Sequence, residues 1–535
     1  MNHIELFAGC GGLSLGLEQL GFELVMANEL SPMAAETFAY NFFGEDLEER
    51  ANQKEKPENV FWLNSRFDSL KLRLRENPLE FPEFGADGFS DINLSDWHEL
   101  DGKLIVGSIS EFNKLLDKTP ELVQKLRSAF GRVGGLDLVS GGPPCQGFSM
   151  SGKREKDSDK NQMPWEFAKF VDHTRPKVAL LENVTGILRA FQNSEGEEFH
   201  AWYEVAKVFA TIGYVPLCLH LNARQVGVPQ NRPRFIMVAL RLDHLHSILE
   251  KLCQPSKDIF IQPLAFFDQV QLKRDKLEFG YLDVIDSNNP NGLKIFQDTF
   301  LAPLANVLKD VPVRDALDDL KFNSQEPVSQ FIKQLNSTFT MLGERRSISA
   351  PEDYVQWPLN HEPRNHSPLV QRRFRLHQIL QIIGNRKVTQ AVYGLLKGEV
   401  AELSPQDWTI LKEYRYLHED GELFQYSVKE EFEKYLRAHP TKKQTQKALI
   451  AQEPAPAALS IPDDACHYDE HELRVLTVRE MARIQSFPDN FVFRSKITTG
   501  GQMRKFEVPQ YTQVGNAVPP LLGIALASVV AGLLD

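Results

Sequence analysis

The stretch "HIELFAGCGGLSLGLEQLGF", His3–Phe22, decides the fold. A strand-like run, "HIELFAG", breaks at Gly9, Gly11 and Gly12 and resumes as an amphipathic segment with helical spacing. Such a turn lets backbone N–H groups approach a ligand at a helix N-terminus. A tight turn with no ligand would use the same glycines, so the next strand has to decide. That run, "FELVMAN", leads into Glu29, about twenty residues past the turn, where a carboxylate can accept both hydroxyls of a ribose. A nucleoside-containing cofactor is therefore expected.

Outward from this unit, "KLIVGS", "LDLVSGG", "KVALLENV" and "RFIMVAL" alternate with longer helix-like segments. Short apolar strands separated by helices predict an α/β fold with a mostly parallel, doubly wound sheet of Rossmann type. Between Phe42 and Gly102 lies a polar, charge-rich insertion without strong periodicity, expected as a surface excursion. The alternation is lost from Arg241 to Leu473, a segment that closes near the Pro/Ala linker "EPAPAALSIP". The expected division is a principal domain over 1–240, a separate domain over 241–473, and a return to the first over 474–535.

Composition narrows the classes. Sixty basic against seventy-two acidic residues give a net charge of −12, which excludes a uniformly basic surface but not a local basic cleft. The five cysteines (Cys10, Cys145, Cys218, Cys253 and Cys466) are odd in number and never paired as zinc ligands, so reduced thiols, a cytoplasmic setting and no metal are expected. The start, "MNHIELFAGCGG", leaves no room for a signal peptide. The longest apolar run, Leu521–Leu534, is too short to span a bilayer and reads as a buried helix, so no membrane is expected.

The stretch "DLVSGGPPCQGFSMSGKRE", Asp137–Glu155, holds Cys145 where a strand has stopped and two prolines forbid helix. Its neighbours are glycine, proline and polar residues rather than core aliphatics, which favours a nucleophile over an inert core thiol. Glu182 ends the run "VALLE", placing a carboxylate at the same sheet edge. In "QNRPRF", Arg232 and Arg234 stand two apart on entering a strand, so both can face one side.

These residues carry a resemblance. With "LFAGCGGLSLGLEQLGF", "ANEL", "GGPPCQGFSMSGKR", "KVALLENV", "PQNRPRF", "LTVREMARIQSFPD" and "QVGNAVPP" in order, the chain resembles the DNA (cytosine-5)-methyltransferases, as in prokaryotic restriction-modification systems. The resemblance implies a thiolate, Cys145, that adds to C6 of cytosine so that C5 can attack a sulfonium methyl group. It further implies Glu182 donating at N3, Arg234 on the base O2, and Arg232 steadying Cys145 and Glu182; burial raises a carboxyl pKa in the direction this needs. S-adenosylmethionine would lie against Phe7, Gly9, Cys10, Gly11, Gly12, Glu29, Leu30, Ser108, Ile109, Pro143, Asn516 and Val518.

The partner so implied is double-stranded DNA, from which the target base must be flipped because C6 is stacked in the duplex. The loop after Cys145 would close on it, with Ser149, Lys153, Arg154 and Lys160 as contacts. In the central segment, "NHEPRNHSPLVQRRFRLHQ", Asn360–Gln378, gathers Arg364, Arg372, Arg373 and Arg375 with His361 and His366. Arg364 is expected to read base edges and the three later arginines, Arg373 foremost, to hold phosphates. The enzyme is expected to act as a monomer, with any cognate restriction endonuclease encoded separately.

Two departures stand out. "VGSIS" has Ser108 where the family commonly has an aspartate that accepts from the adenine amino group, and "SDKNQM" has Lys160 where an arginine is common. The alternatives are a tRNA cytosine-5 methyltransferase, whose relatives have a short segment where this chain has a long one, and a silent nucleic-acid-binding protein, which would be expected to have lost Cys145 or Glu182.

Overall fold

The structure, a computed structural model, describes residues 1–144, 162–192, 198–306, 309–322, 324–340, 342, 358–438, 446–457 and 460–534. The chain opens with β1 (Asn2–Leu6), α1 (Gly12–Gln19), β2 (Glu23–Glu29) and α2 (Pro32–Phe42). Next come β3 (Val60–Trp62), β4 (Lys103–Val106), α3 (Ile109–Lys118), β5 (Leu138–Gly141) and α4 (Met163–Thr174). The sheet is completed by β6 (Val178–Val184), β7 (Tyr214–Asn222), β8 (Pro233–Arg241) and β9 (Val284–Asp286), with α5 (Ala201–Thr211) between β6 and β7.

The nine strands lie in the order β9-β7-β8-β6-β5-β1-β2-β4-β3. All neighbours pair parallel except at β8, which runs antiparallel to both β6 and β7. Strands covered on both faces read as continuous apolar runs, and for that reason the sequence alternation was visible. In β4, Leu104 and Val106 pack into one apolar cluster and Ile105 into another, as opposite faces of a sheet require. The Rossmann-like, doubly wound expectation is met: from β1 the chain winds outward through β2 and β4 on one side and through β5 and β6 on the other. The switch point lies between β1 and β5, the place where open α/β sheets bind ligands at the strands' carboxyl ends.

Two expectations change. The insertion between Phe42 and Gly102 is not only a surface excursion, because it contributes β3, paired with β4 and burying Val60 and Trp62 completely. Three residues are too few to show a period in sequence. The layer around the sheet also continues past Arg241: β9 pairs with β7, and the adjoining core extends to Ala305. Helical residues Val313, Leu317, Ile332 and Leu335 then pack with Ala482, Ile484 and Phe487 on the other face.

A separate apolar core forms only farther on. There α6 (Pro368–Ile383), α7 (Arg386–Lys397) and α8 (Lys429–Arg437) bury Ile379, Val392, Leu395, Phe432 and Leu436 together with Leu411 and Tyr416. The chain closes with α9 (Val478–Ile484), α10 (Gln510–Asn516) and α11 (Pro520–Leu534). α11 lies against α1, where a Cβ on Gly16 would come within 2.4 Å of the Gly523 backbone. Among the described residues no single helix is long and apolar enough to cross a membrane.

Candidate active site

The turn after β1 is built on positive φ at Phe7 (55°), Gly9 (56°) and Gly11 (92°). Glu29, at the end of β2, holds it: Oε2 accepts from the Gly9 N–H and Oε1 from the Ser31 N–H, both at 2.8 Å. Burial pushes the Glu29 carboxyl up, opposed by these backbone donors. The three glycines differ in what they face. A Cβ on Gly9 would meet nothing within 4 Å, whereas on Gly11 it would lie 2.2 Å from the Phe42 ring and on Gly12 2.2 Å from the Val518 carbonyl. Gly9 therefore opens onto space, while Gly11 and Gly12 allow close packing.

Cys10 turns inward. Its thiol approaches the Gln513 carbonyl at 3.8 Å, and burial pushes it well above the usual thiol range. That leaves its backbone for a ligand. The neighbouring Leu30 is half-buried.

The other strand ends converge on the same edge. Asn28 ties β2 to β4 by donating to the carbonyls of Ile105 (3.0 Å) and Gly107 (3.1 Å). Ser108 then precedes α3 as its N-cap with a side chain that makes no capping bond, and Ile109 is buried. After β5, the Pro143 carbonyl accepts from Asn183 Nδ2 at 3.0 Å, fastening this loop to the end of β6. Cys145, Ser149, Lys153, Arg154 and Lys160 lie outside the described residues.

Glu182 stands near the end of β6, and Arg234 sits diagonally across the β6–β8 register, in which Ile236 is opposite Glu182. Antiparallel pairing is what brings the start of β8 to this edge. Arg234 Nε lies 2.6 Å from Glu182 Oε1, with its N–H not aimed along the contact, and both side chains are about nine-tenths buried. Arg234 Nη1 donates to the Pro233 carbonyl at 2.9 Å.

Arg232 takes main-chain partners, with Glu182 acting on it electrostatically. It is 3% exposed and donates to the carbonyls of Gly515, Ala517 and Ala457 rather than to Glu182. No spacing in the sequence signals those partners. Asn516 ends α10 and is exposed, and Val518 packs its carbonyl over Gly12, so the carboxyl-terminal return does reach the glycine-rich turn.

The arginines of Asn360–Gln378 do not behave as one group. Arg364 is exposed, in the extended segment before α6. Arg373 is half-buried, and its Nε finds no hydrogen-bond partner among the described residues. Arg375 is not available to phosphates: it is buried, donates to the Arg415 carbonyl and Gln378, and pairs with Glu470 at 2.8 Å. Arg372 is largely covered and lies 3.6 Å from Glu419. His361 is buried between Thr477 and the Leu320 carbonyl, and His366 stacks edge-on to Phe374. A helix at the centre of its own small core cannot turn all its cations outward.

The sequence profile of a single family, described as C-5 cytosine-specific DNA methylase, matches residues 1–69, 120–295 and 316–531. Several curated relatives match along nearly all of the chain. The Type II methyltransferase M.DdeI of Desulfomicrobium norvegicum is 24% identical over 98% of this chain and 88% of its own length. The Type II methyltransferase M.Bpa9945I of Bacillus paralicheniformis is 25% identical over 99% of each. The DNA (cytosine-5)-methyltransferase 3 of Arabidopsis thaliana is 26% identical over 98% of this chain and 30% of its own. With the profile matching most of the chain, and its first gap falling largely within the insertion that carries β3, the chain belongs to the C-5 cytosine-specific DNA methylase family.

Proposed function

We propose that this DNA cytosine-5 methyltransferase uses S-adenosylmethionine as methyl donor, flips its target cytosine from duplex DNA, and attacks it with Cys145. The observation that carries this reading is the meeting at one sheet edge of the Gly9–Glu29 turn, Ser108 and the Glu182–Arg234 pair.

The residues present fit the donor. Gly9 faces open space, the Ser108 hydroxyl makes no capping bond, and the Glu29 carboxylate, which faces the backbone donors of Gly9, Ser31 and Leu30, keeps acceptor capacity for a ribose hydroxyl. Phe7, Gly9, Glu29, Leu30, Ser108, Ile109, Pro143, Asn516 and Val518 would hold it, with Cys10, Gly11 and Gly12 contributing backbone. When bound, S-adenosylmethionine supplies an electrophilic methyl group.

The chain's own groups make C5 of the base nucleophilic. The Cys145 thiolate forms a bond to C6, the C5–C6 electron pair is displaced towards N3, and Glu182 stabilises the charge there through a hydrogen bond. Arg234, which contacts Glu182 and donates to the Pro233 carbonyl, donates to O2 in this reading. After methylation a general base takes the C5 proton, the C5–H electron pair re-forms the C5–C6 double bond, and the thiolate leaves C6 with the C–S pair. The lobe over 368–438, with Arg364 and Arg373, would read and hold the DNA, together with Ser149, Lys153, Arg154 and Lys160. The Type II relatives support a place in a restriction-modification system; a separately encoded endonuclease and a monomeric enzyme on DNA complete the reading.

Incubation with tritiated S-adenosylmethionine and either duplex DNA or tRNA tests the reading. Label in duplex DNA at carbon 5 of cytosine is expected; label in tRNA alone, or in neither, overturns it.

A further inference from the structure

Arg232 carries a buried charge that makes no ion pair among the described residues. Burial pushes its guanidinium well below the ordinary arginine range, with Arg234 adding to the effect and Glu182 opposing it. Its donors go to main-chain carbonyls: Nη2 to Gly515 at 2.8 Å and Ala517 at 3.1 Å, and Nη1 to Ala457 at 3.3 Å.

The reason lies in the residues just past α10. A helical carbonyl at Gly515 would accept from the N–H four residues on, but that residue is Pro519, and the next is Pro520. The N–H four residues beyond Ala517, that of Leu521, donates instead to Ser486 Oγ. The end of α10 thus holds carbonyls that the chain ahead cannot satisfy, and a cation is also the favourable charge at a helix C-terminus. The same few residues press on the cofactor side, because the Val518 carbonyl lies where any Cβ on Gly12 would go. Residues 515–518 are held between Arg232 on one side and the glycine-rich turn on the other. The Ala457 contact adds a second tie, next to the pairing of Gln230–Asn231 with Ala455–Pro456.

We infer that Arg232 is a positioning residue: it caps the Gly515 carbonyl, for which Pro519 has no N–H, together with the Ala517 carbonyl, holds the Asn516–Val518 wall against the glycine-rich turn, and so sets cofactor affinity rather than acting on the base. The inference rests on the proposal that S-adenosylmethionine occupies this edge.

The test is calorimetry of S-adenosylmethionine binding to the full-length protein, alongside steady-state methylation. Arg232→Lys keeps a charge but not the fork that reaches two carbonyls. It is expected to weaken cofactor binding by about tenfold or more and to raise KM for S-adenosylmethionine in parallel, by a larger factor than kcat falls. The double variant Arg232→Lys/Pro519→Ala gives the Gly515 carbonyl a backbone donor and is expected to recover part of that affinity; it is also read if the single variant does not melt cooperatively. A lysine variant that binds cofactor like the wild type while kcat falls overturns the inference, as does a double variant that binds no better than the single. Wild-type protein that binds no S-adenosylmethionine would remove the cofactor proposal itself, and this inference with it.

Discussion

Arg234 Nε lies 2.6 Å from Glu182 Oε1, a contact made possible because β8 is the strand that runs against the rest of the sheet and starts where β6 ends. The pair is diagonal across the register, so both side chains project from one face at this edge of the sheet.

Glu182→Gln keeps the shape of this pair and replaces the carboxyl with a neutral amide. Single-turnover methylation at saturating S-adenosylmethionine should fall by roughly 10²–10⁴-fold, the range for losing a positioned acid–base group, while DNA affinity in a filter-binding assay holds. A wild-type rate would leave Glu182 without a part in the chemistry.

Ser108 offers a neutral acceptor at the start of α3, with no capping duty of its own. Ser108→Asp should tighten S-adenosylmethionine binding by about 1 kcal/mol, since a charged acceptor is the stronger partner and a carboxylate suits a helix N-terminus. Unchanged or weaker binding by calorimetry would mean that this side chain does not meet the adenine.

Beneath the turn, Ser14 Oγ donates to Glu5 Oε2, both side chains being buried. Burial pushes the Glu5 carboxyl up to about 8. The folded state thus binds this proton more tightly than the unfolded chain, where the carboxyl titrates near 4.5. The stability it contributes is whole below the unfolded value and is lost as pH rises through about 8. Glu5→Gln lacks that loss, so thermal melts should show the glutamine variant gaining on wild type between pH 5 and 8. A difference that stays constant across that range would refute a neutral buried Glu5.

The opposite sign holds at the start of α9. Burial pushes the Glu480 carboxyl up, but Arg474, bonded to both its oxygens at 2.7 and 2.8 Å, brings it down to about 2. Here stability is present above the unfolded carboxylate value and lost as pH falls towards 2. Glu480→Gln leaves the buried Arg474 guanidinium with Glu472, at 2.6 Å, as its remaining carboxylate partner and should cost about 1.5–3 kcal/mol at pH 7. That gap from wild type, read by chemical denaturation, should narrow as pH falls through 4.

Much of this was legible in the sequence because parallel strands buried on both faces spell themselves out, as "KVALLENV" does for β6. The glycine-rich turn, Glu29 and the arginine pair could be placed from strand ends alone. β3 could not, because three residues carry no period, and Trp62 looks like any aromatic in a polar stretch until it is found paired with Val106 of β4. Nor could the partners of Arg232 be read, since the Gly515 carbonyl stands 283 residues away. The cationic run around Arg375 misled for a related reason: charge in a sequence does not say which face of a helix will be covered.

The most direct test of nucleophilic attack by Cys145 uses duplex DNA containing 5-fluorocytosine at the enzyme's own target site, with S-adenosylmethionine present. Fluorine cannot leave C5 as a proton does, so the bond from Cys145 to C6 should persist as a complex that survives denaturing electrophoresis, in the wild type and not in Cys145→Ser. Wild-type enzyme that methylates ordinary DNA yet forms no such adduct, or a serine variant that still transfers methyl groups, would contradict that attack.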